Sequence, residues 1–163
     1  MAKTWLQQLA GRIGFRWLAK GLSFYPPYLG AGIHLVEIAD DVRSLTVELR
    51  HGVATANFMG TQFGGSIYAM CDPWFMLMLN AALGDEYVVW DKAATVRFLR
   101  PGRSRLRATF ELSEVRVAEI RHTLDTVGRC EAMFSVDVLD EAGGIVASVE
   151  KLLHSHKPSM KRV

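Results

Sequence analysis

The sequence predicts an α+β protein in which an antiparallel sheet wraps around one long apolar helix. Residues 64–83 are almost wholly apolar and would form a helix about 30 Å long. Segments with the two-residue alternation of strands lie on both sides of this stretch. A helix that is apolar all round needs the concave face of a sheet to cover it, so these observations together predict one folded unit.

Residues 1–27 are predicted to form an N-terminal amphipathic helix, because apolar side chains recur at steps of three and four over residues 4–22. Basic residues line the opposite face. Pro26 and Pro27 end the helix, since consecutive prolines remove backbone donors. Such a helix either covers part of the apolar face of the sheet or lies on a membrane surface, and we favour the first placement.

Strand-like segments make up most of the remaining chain. The core is predicted to span residues 30–154, followed by a basic tail at residues 155–163. No repeat or linker divides the chain, so residues 1–163 are predicted to form a single domain. The strands are expected at residues 33–38, 42–50, 87–99, 105–117, 129–139 and 145–154.

Composition excludes several classes of function. Of the 163 residues, 50% are apolar and 22% are charged, and the net charge of +2 argues against a nucleic-acid-binding domain. The apolar stretches are interrupted before the ~20 residues of a membrane span, and the N-terminus lacks the shape of a signal peptide. Cys71 and Cys130 have neither disulfide nor metal-site spacing, and no metal or cofactor is expected. We therefore expect a cytoplasmic protein.

The segment that enters the apolar helix carries residues suited to chemistry. It reads Asn57-Phe58-Met59-Gly60-Thr61-Gln62-Phe63-Gly64-Gly65-Ser66. The two glycines allow a ligand to approach the backbone, and the free N–H groups at the helix start can polarise a carbonyl oxygen. Ser66 is expected to help cap this helix start. A plain helix start with a Gly-Gly turn is the alternative interpretation.

Asp72 is an acidic residue among apolar neighbours on the same helix. A charge in such surroundings costs several kcal/mol unless it is paired or faces a cleft. Buried carboxylates are candidates for general-base catalysis, so Asp72 is a candidate catalytic residue. The alternative is a carboxylate that hydrogen-bonds backbone freed by Pro73, whose missing N–H leaves the carbonyl of Ala69 without its usual donor.

These residues resemble the core motif of hotdog-fold acyl-CoA thioesterases of the phenylacetate-type branch. That motif is Asn-x-x-Gly-x-x-His-Gly-Gly with an acidic residue nine positions after the histidine, and Asn57, Gly60 and Asp72 fit it without a gap. Residues 97–102, Arg-Phe-Leu-Arg-Pro-Gly, are similar to the family's strand that ends in a Leu-Arg-Pro corner. Phe63 stands in place of the histidine, and the chain looks most like a thioesterase-like subgroup with phenylalanine there.

The resemblance implies a homodimer with joined sheets and two active sites at the interface; association into a homotetramer is left open. The N–H of Gly65 would polarise the thioester carbonyl, and Asp72 of the other subunit would activate water or attack the carbonyl. Asn57 would order the loop or hold the water. The substrate would be a coenzyme A or acyl carrier protein thioester. The residues expected beside it are Thr61, Phe63, Gly64 and Ser66.

Five arginines within eleven residues have no acidic residue among them. They either form a solvated sheet face or bind the phosphates of coenzyme A or an acidic acyl carrier protein, with Arg100 and Arg103 as the candidate contacts. The five are Arg97, Arg100, Arg103, Arg105 and Arg107.

Two charges, Asp91 and Lys92, interrupt an apolar strand. Alternation places Trp90 and Lys92 on one face of the strand, and it places Asp91 on the other face. If the first face meets the helix, Lys92 is a candidate partner for Asp72. The favoured alternative is that both charges are exposed at a strand end.

The sequence thus predicts an acyl-CoA or acyl carrier protein thioester hydrolase. A non-catalytic acyl-CoA or fatty-acyl-binding protein is the alternative, and Phe63 in place of histidine favours it. A hydratase or dehydratase ranks last, because that chemistry normally needs a catalytic histidine beside an acid and no histidine lies near the motif.

Overall fold

Six antiparallel strands form one sheet in the computed structural model, which describes residues 14–157. Their order across the sheet is β1-β2-β4-β5-β6-β3, so β1 and β3 are its edges. The predicted strands are confirmed to within two residues at each end, except the one expected at residues 105–117. The strands are β1 (Ile33–Ile38), β2 (Ser44–Leu49), β3 (Val88–Phe98), β4 (Leu106–Glu111), β5 (Arg129–Asp140) and β6 (Ile145–His156).

Five α-helices accompany the sheet in the described part of the chain, together with a 3-10 turn at Leu22–Phe24. The third and fourth form the predicted central helix, since Asp72 and Pro73 between them keep right-handed helical backbone angles. The helices are α1 (Phe15–Gly21), α2 (Pro26–Ala31), α3 (Gly64–Cys71), α4 (Trp74–Leu83) and α5 (Glu114–Val127).

The central helix is buried against the concave face of the sheet, as the apolar stretch predicts. Trp74 and Phe75 of α4 are buried. The ring centroid of Phe75 lies 5.1 Å from that of Phe110 on β4 and 5.0 Å from that of Phe134 on β5. Burial of each such side chain contributes about 1.5–3 kcal/mol, so these aromatic contacts hold the helix to the sheet.

The predicted strand at residues 105–117 is wrong in its second half, because β4 ends at Glu111 and α5 follows it. Ser113 begins this helix by accepting a hydrogen bond from the backbone N–H of Arg116 at 3.2 Å, and Gly128 ends it with a φ of 80°. Three residues at helical spacing bury one face of α5. They are Val117, Ile120 and Leu124. The apolar alternation of β4 continues only to Leu112, and the apolar Val115 and Val117 that follow are out of phase with it.

Between residues 14 and 31, the N-terminal segment forms two short helices that contact β1, separated by the 3-10 turn. Pro26 and Pro27 occupy the first turn of α2, where an N–H would have no helical partner in any case. Ala19 is buried, whereas Trp17, one of the apolar residues of the predicted helix, is 66% exposed. Residues 4–13 of the predicted helix and residues 158–163 of the predicted tail lie outside the described residues.

None of the helices described between residues 14 and 157 has the length and apolar character needed to cross a lipid bilayer. The cytoplasmic location expected from the sequence stays a prediction.

Candidate functional site

The central helix lacks one backbone hydrogen bond at Pro73, whose nitrogen cannot donate to the carbonyl oxygen of Ala69. The hydroxyl of Tyr28 donates to that oxygen instead at 3.2 Å, and the N–H of Asp72 reaches it at 3.4 Å. The side chain of Asp72 takes no part in this arrangement. The alternative interpretation, in which the Asp72 carboxylate hydrogen-bonds the backbone freed by Pro73, is therefore wrong.

Asp72 accepts two hydrogen bonds through one carboxylate oxygen. The hydroxyl of Tyr68 and the ammonium of Lys151 both donate to Oδ1, each at 2.8 Å. Oδ2 accepts no hydrogen bond from any residue between 14 and 157. The two hydrogen bonds hold the carboxylate in one orientation. Because the side chain is 49% exposed, its second oxygen is accessible.

Lys151 lies on the inner face of β6 and is fully buried. Its Nζ is 2.8 Å from Oδ1 of Asp72, 2.9 Å from Oδ1 of Asp91 and 3.4 Å from the hydroxyl oxygen of Tyr68. Burial lowers the pKa of Lys151, but the hydrogen bonds to the two carboxylates outweigh it and hold the pKa above its ordinary value. Asp72, Asp91 and Lys151 thus form a charge triad.

Asp91 reaches Lys151 because β3 contains a bulge directly after Asp91, where its register against β6 shifts. Lys92 consequently lies on the outer face, with its Nζ 2.5 Å from Oε1 of Glu131. The candidate pairing of Lys92 with Asp72 is therefore wrong. Burial raises the pKa of the Asp91 carboxyl, and the hydrogen bond from Lys151 acts in the opposite direction.

Two phenyl rings flank the glycines that begin α3. The ring of Phe63 lies against Gly65, where an added Cβ atom would overlap it. The ring of Phe98, at the end of β3, lies over Gly64, with its Cζ 3.1 Å from the position of an added Cβ. Both rings are more than half exposed. The absence of side chains on the two glycines is what lets the rings approach the helix start.

The first N–H groups of α3 have no hydrogen-bond acceptor among residues 14–157. The N–H groups of Ser66 and Ile67 donate to the carbonyl oxygen of Phe63, whereas those of Gly64 and Gly65 donate to no residue in the described part of the chain. Phe63 occupies the N-cap position and offers no side-chain cap, so the expectation that Ser66 caps this helix is wrong. Free N–H groups at a helix start can bind a carbonyl oxygen or an oxyanion.

Asn57 holds the loop that leads to α3. Its Oδ1 accepts hydrogen bonds from the N–H groups of Met59 at 2.9 Å and Thr61 at 3.1 Å. Its Nδ2 donates to the hydroxyl oxygen of Thr61 at 2.9 Å. Asn57 therefore orders the loop, which is one of the two roles expected of it, and Thr61 is buried within the same network.

Four of the five clustered arginines pair with carboxylates that neighbouring strands and turns supply. Arg100 also donates from Nε to a backbone carbonyl oxygen at 2.9 Å, so its guanidinium is held on the protein surface. Arg103 is exposed and makes no ion pair within residues 14–157. The four pairs are Arg97–Glu150 at 2.6 Å, Arg100–Asp140 at 2.8 Å, Arg105–Glu141 at 2.9 Å and Arg107–Glu48 at 2.6 Å.

The predicted site residues on the central helix and at its start fall into two groups at opposite ends of α3. The glycines, Phe63 and Ser66 lie at its start, and Asp72 lies at its end. Among residues 14–157, no three His, Cys, Asp or Glu side chains are close enough to hold a metal ion together.

Sequence reasoning missed two contacts of Asp72, although each carries a signal. Lys151 is in phase with the apolar Val149 and Leu153 in the alternation of the last strand, which is unusual for an unpaired lysine. Tyr68 precedes Asp72 by four residues, so both lie on the same face of the helix.

The sheet, its central helix and the glycine-rich helix start define a hotdog-fold protein. The protein of unknown function PA5026 from Pseudomonas aeruginosa, described as a probable thioesterase, is similar with a TM-score of 0.79 and 16% identity, over 88% of this chain and 96% of that one. Thioesterase HI1161 from Haemophilus influenzae has a TM-score of 0.64 and 14% identity, over 88% and 92%. The PaaI protein of the phenylacetic acid degradation operon of E. coli has a TM-score of 0.58 and 16% identity, over 89% and 94%.

The chain belongs to the family described as a domain of unknown function, DUF4442, which matches residues 14–154. No curated protein matches it. At these identities the solved structures show the fold, and the hotdog fold expected from the sequence is thereby confirmed.

Proposed function

We propose that the chain hydrolyses acyl thioesters of coenzyme A or of an acyl carrier protein, with Asp72 as the catalytic base. The observation that carries this proposal is the Asp72 carboxylate, which is fixed through one oxygen and keeps the other accessible. The unpaired N–H of Gly65 supplies the second group that such a reaction needs. The similar fold of thioesterase HI1161 supports the reaction class.

The complete site needs two copies of the chain. Gly65 and Asp72 are seven residues apart on the central helix, which is about 10 Å along its axis. Hydrogen bonds span about 3 Å, so one thioester group cannot contact both residues of the same chain. A homodimer in which Gly65 comes from one subunit and Asp72 from the other removes this separation.

The edge strand β3 supports such a dimer. It pairs with β6 on one side and with no described strand on the other. Asp91, beside Asp72, lies near its beginning, and Phe98, beside Gly64, lies at its end. Antiparallel pairing of two copies of β3 about a two-fold axis sets the end of one strand beside the beginning of the other. The start of α3 in one subunit would thereby approach Asp72 of the second.

In the proposed reaction, the N–H of Gly65 donates to the carbonyl oxygen of the thioester and stabilises the negative charge that develops there. Water attacks the carbonyl carbon while Oδ2 of Asp72 takes one of its protons. The C–S bond then breaks, and the protonated Asp72 returns the proton to the leaving sulfur. The products are a carboxylic acid and a thiol. Direct attack of Asp72 on the carbonyl is the second route that the same assignment allows.

The exposed side chains near the start of α3 and on the neighbouring arginine run are the ones that we assign to substrate contacts. The exposed rings of Phe63 and Phe98 flank the glycines, so we assign them to the acyl or aryl group. Arg103, whose guanidinium pairs with no described carboxylate, is assigned to a phosphate of coenzyme A. Arg100 is already held by Asp140 and contributes a weaker contact. Coenzyme A is thus part of the substrate and not a resident cofactor.

Thiol release from a panel of acyl- and aryl-CoA thioesters, followed with a colour reagent, tests the proposal. Asp72→Asn is expected to lower kcat at least about 100-fold. The variant should fold, since Asp91 still neutralises Lys151. Asp137→Asn makes the same chemical change at an exposed position of β5 and should keep full activity. Undiminished turnover in Asp72→Asn would overturn the assignment.

Light scattering measures the assembly. The chain has a mass of 18.2 kDa, and a particle of twice or four times that mass is expected. A monomer that retains turnover would contradict the shared site.

Binding of an acyl-CoA without hydrolysis is the second candidate function, and Phe63 favours it. A phenyl ring cannot hydrogen-bond a carbonyl or a water, and this ring lies against the glycine whose N–H the reaction uses. Saturable binding measured by calorimetry, together with no thiol release from any substrate, would indicate this function. Phe63→His is then expected to introduce turnover.

A further inference from the structure

Lys151 occupies a place where sheets normally carry apolar side chains. Its side chain is fully buried, on the face of β6 that meets the central helix. Burying an ammonium group is unfavourable unless carboxylates and hydrogen bonds compensate for lost water. Lys151 has both, because its three N–H groups meet Asp72, Asp91 and the hydroxyl of Tyr68.

We infer that Lys151 is a positioning residue that orients Asp72 and places a positive charge beside it, and that Asp91 limits how much of this charge acts on Asp72. This inference rests on the proposed function, since it assigns the two residues to the same site. Neither is expected to touch the substrate.

The orientation follows from which oxygen is used. Lys151 and Tyr68 both bind Oδ1 of Asp72, from β6 and from the preceding helical turn. Two donors from different elements fix the plane of the carboxylate, and Oδ2 is left as the oxygen that can accept a proton. Positioning of this kind matters because a misplacement of about 1 Å can cost a large part of the rate.

The charge balance follows from the composition of the triad. Two carboxylates share one ammonium, so the fully ionised triad keeps one negative charge. A simple pair of Asp72 with Lys151 would be neutral, and Asp72 would be a weaker proton acceptor. The ion pair between Lys151 and Asp91, at 2.9 Å, draws part of the ammonium charge away from Asp72.

Among residues 14–157, no other group facing the triad changes charge near neutral pH. Tyr28 of α2 and Tyr68 and Cys71 of α3 are the further titratable neighbours. Burial is the main cause that raises the pKa of each above its ordinary value, to about 12 for Cys71. These groups stay neutral below pH 9, so a pH dependence in that range arises from the triad.

The two positioning residues should therefore act with opposite signs on the acidic limb of the pH profile of kcat/KM. In Lys151→Met the ionised form of Asp72 loses its cation, so the limb should move to higher pH by about one pH unit, and kcat should fall at least about tenfold. In Asp91→Asn the whole ammonium charge acts on Asp72, so the limb should move to lower pH. KM should change little in both variants, because neither residue touches the substrate.

Two further variants separate positioning from a general structural role. Lys151→Arg keeps the charge and is expected to keep the acidic limb near its wild-type position. Lys92→Met removes a lysine from the neighbouring strand, where it pairs with Glu131 on the outer face, and should leave the profile unchanged. Shifts of the same sign in Lys151→Met and Asp91→Asn would overturn the inference.

A readout independent of turnover distinguishes failure of this inference from failure of the proposed function. Carboxyl resonances of 13C-aspartate-labelled protein can be followed with pH, and Asp72→Asn identifies the signal of Asp72.

The titration midpoint of the Asp72 signal should rise in Lys151→Met and fall in Asp91→Asn. A midpoint unchanged in both would refute the inference even in an active enzyme, whereas the expected shifts without thiol release would refute only the hydrolase. If Lys151→Met does not fold, the Asp91→Asn variant, at a partly exposed position, tests the inference alone. A fall in the titration midpoint of Asp72 would support it, and a rise would overturn it.

Discussion

The hydroxyl of Tyr28 donates a hydrogen bond to the carbonyl oxygen of Ala69, and so supplies the donor that Pro73 lacks. This contact ties α2 to the central helix at its one interruption. Burial raises the pKa of Tyr28 well above its ordinary value, so the hydroxyl keeps its proton. The ring of Tyr28 also contacts Trp74, at 6.1 Å between centroids.

Tyr28→Phe should therefore lower the free energy of unfolding by about 1 kcal/mol, because Ala69 keeps only the long bond from the N–H of Asp72. Denaturant unfolding measures the loss. Tyr25→Phe, at an exposed tyrosine, is the control and should cost little. In a Pro73→Ala background a backbone N–H becomes available, and the cost of Tyr28→Phe should shrink. An equal cost in both backgrounds would contradict the assigned role of Tyr28.

Acid should weaken the turn between β5 and β6. Oδ1 of Asp140 accepts hydrogen bonds from the N–H groups of Gly144 at 2.9 Å and Ala142 at 3.0 Å, and Arg100 pairs with Oδ2. The Gly144 N–H first, and Arg100 beside it, hold the pKa of Asp140 below its usual range. A lowered pKa in the folded state adds stability above the unfolded value of about 3.9, and this stability is lost as the pH falls through the folded pKa.

Asp140→Asn should accordingly be less stable than the wild type at pH 7, and the difference should close below about pH 4. Urea unfolding of both proteins between pH 7 and pH 3 gives the comparison. Asp137→Asn, on the exposed face of β5, should show no such pH-dependent difference. A difference for Asp140→Asn that stays constant down to pH 3 would show that the charge is not the cause.

The two thiols should differ in reactivity. Cys71 is fully buried, and burial raises the pKa of its thiol to about 12, so almost no thiolate forms at pH 8. Burial also raises the pKa of Cys130, which is only partly covered. Iodoacetamide at pH 8 should therefore alkylate Cys130 and leave Cys71 unmodified until urea unfolds the chain.

Peptide mass spectrometry reads both sites, and Cys130→Ser leaves Cys71 as the single thiol. Alkylation of Cys71 in the folded protein as fast as in urea would contradict its burial.

A methyl group at the start of α3 should affect the ligand more than the fold. At Gly65 it would overlap Phe63, whose exposed ring can turn away. Alanine also favours a helix over glycine by up to about 1 kcal/mol, so Gly65→Ala should keep its stability. The added methyl and the displaced ring should lower kcat/KM, or the affinity for a non-hydrolysed thioester, at least about tenfold.

Thermal melts and thiol release separate the two effects. Gly21→Ala, where an added Cβ meets nothing within 4 Å, is the matched control and should change neither. A large loss of stability in Gly65→Ala would show that Phe63 is part of the core instead.

The sheet was predictable from the local alternation of its strands, and the central helix from the length of its apolar stretch. The interruption at Pro73 was predictable too, but its solution was not, since Tyr28 lies 41 residues from Ala69. The charge triad was missed for a similar reason: Lys151 is 79 residues from Asp72. The bulge after Asp91 then reversed the faces that strict alternation gives to Asp91 and Lys92.

The arginine run shows the same limit. Its five members have no acid near them in sequence, yet the sheet brings carboxylates from other strands against four of them. Local charge composition therefore overstated how much of this surface is free to bind an anion. The helix start, by contrast, was predictable from Gly64 and Gly65 alone, since its free N–H groups follow from backbone geometry.

The sheet is joined only narrowly at its middle. β4 and β5 pair through Leu106–Asp140, Arg107–Leu139 and Ala108–Val138, whereas β5 and β6 pair along almost their whole length. α5 departs where the two strands diverge. The strand pairing therefore divides the sheet into two units, β1-β2-β4 and β5-β6-β3, which a short seam and the central helix join. The strands that carry Asp91 and Lys151 belong to one unit, so fluctuations that open the other can leave this charged pair intact.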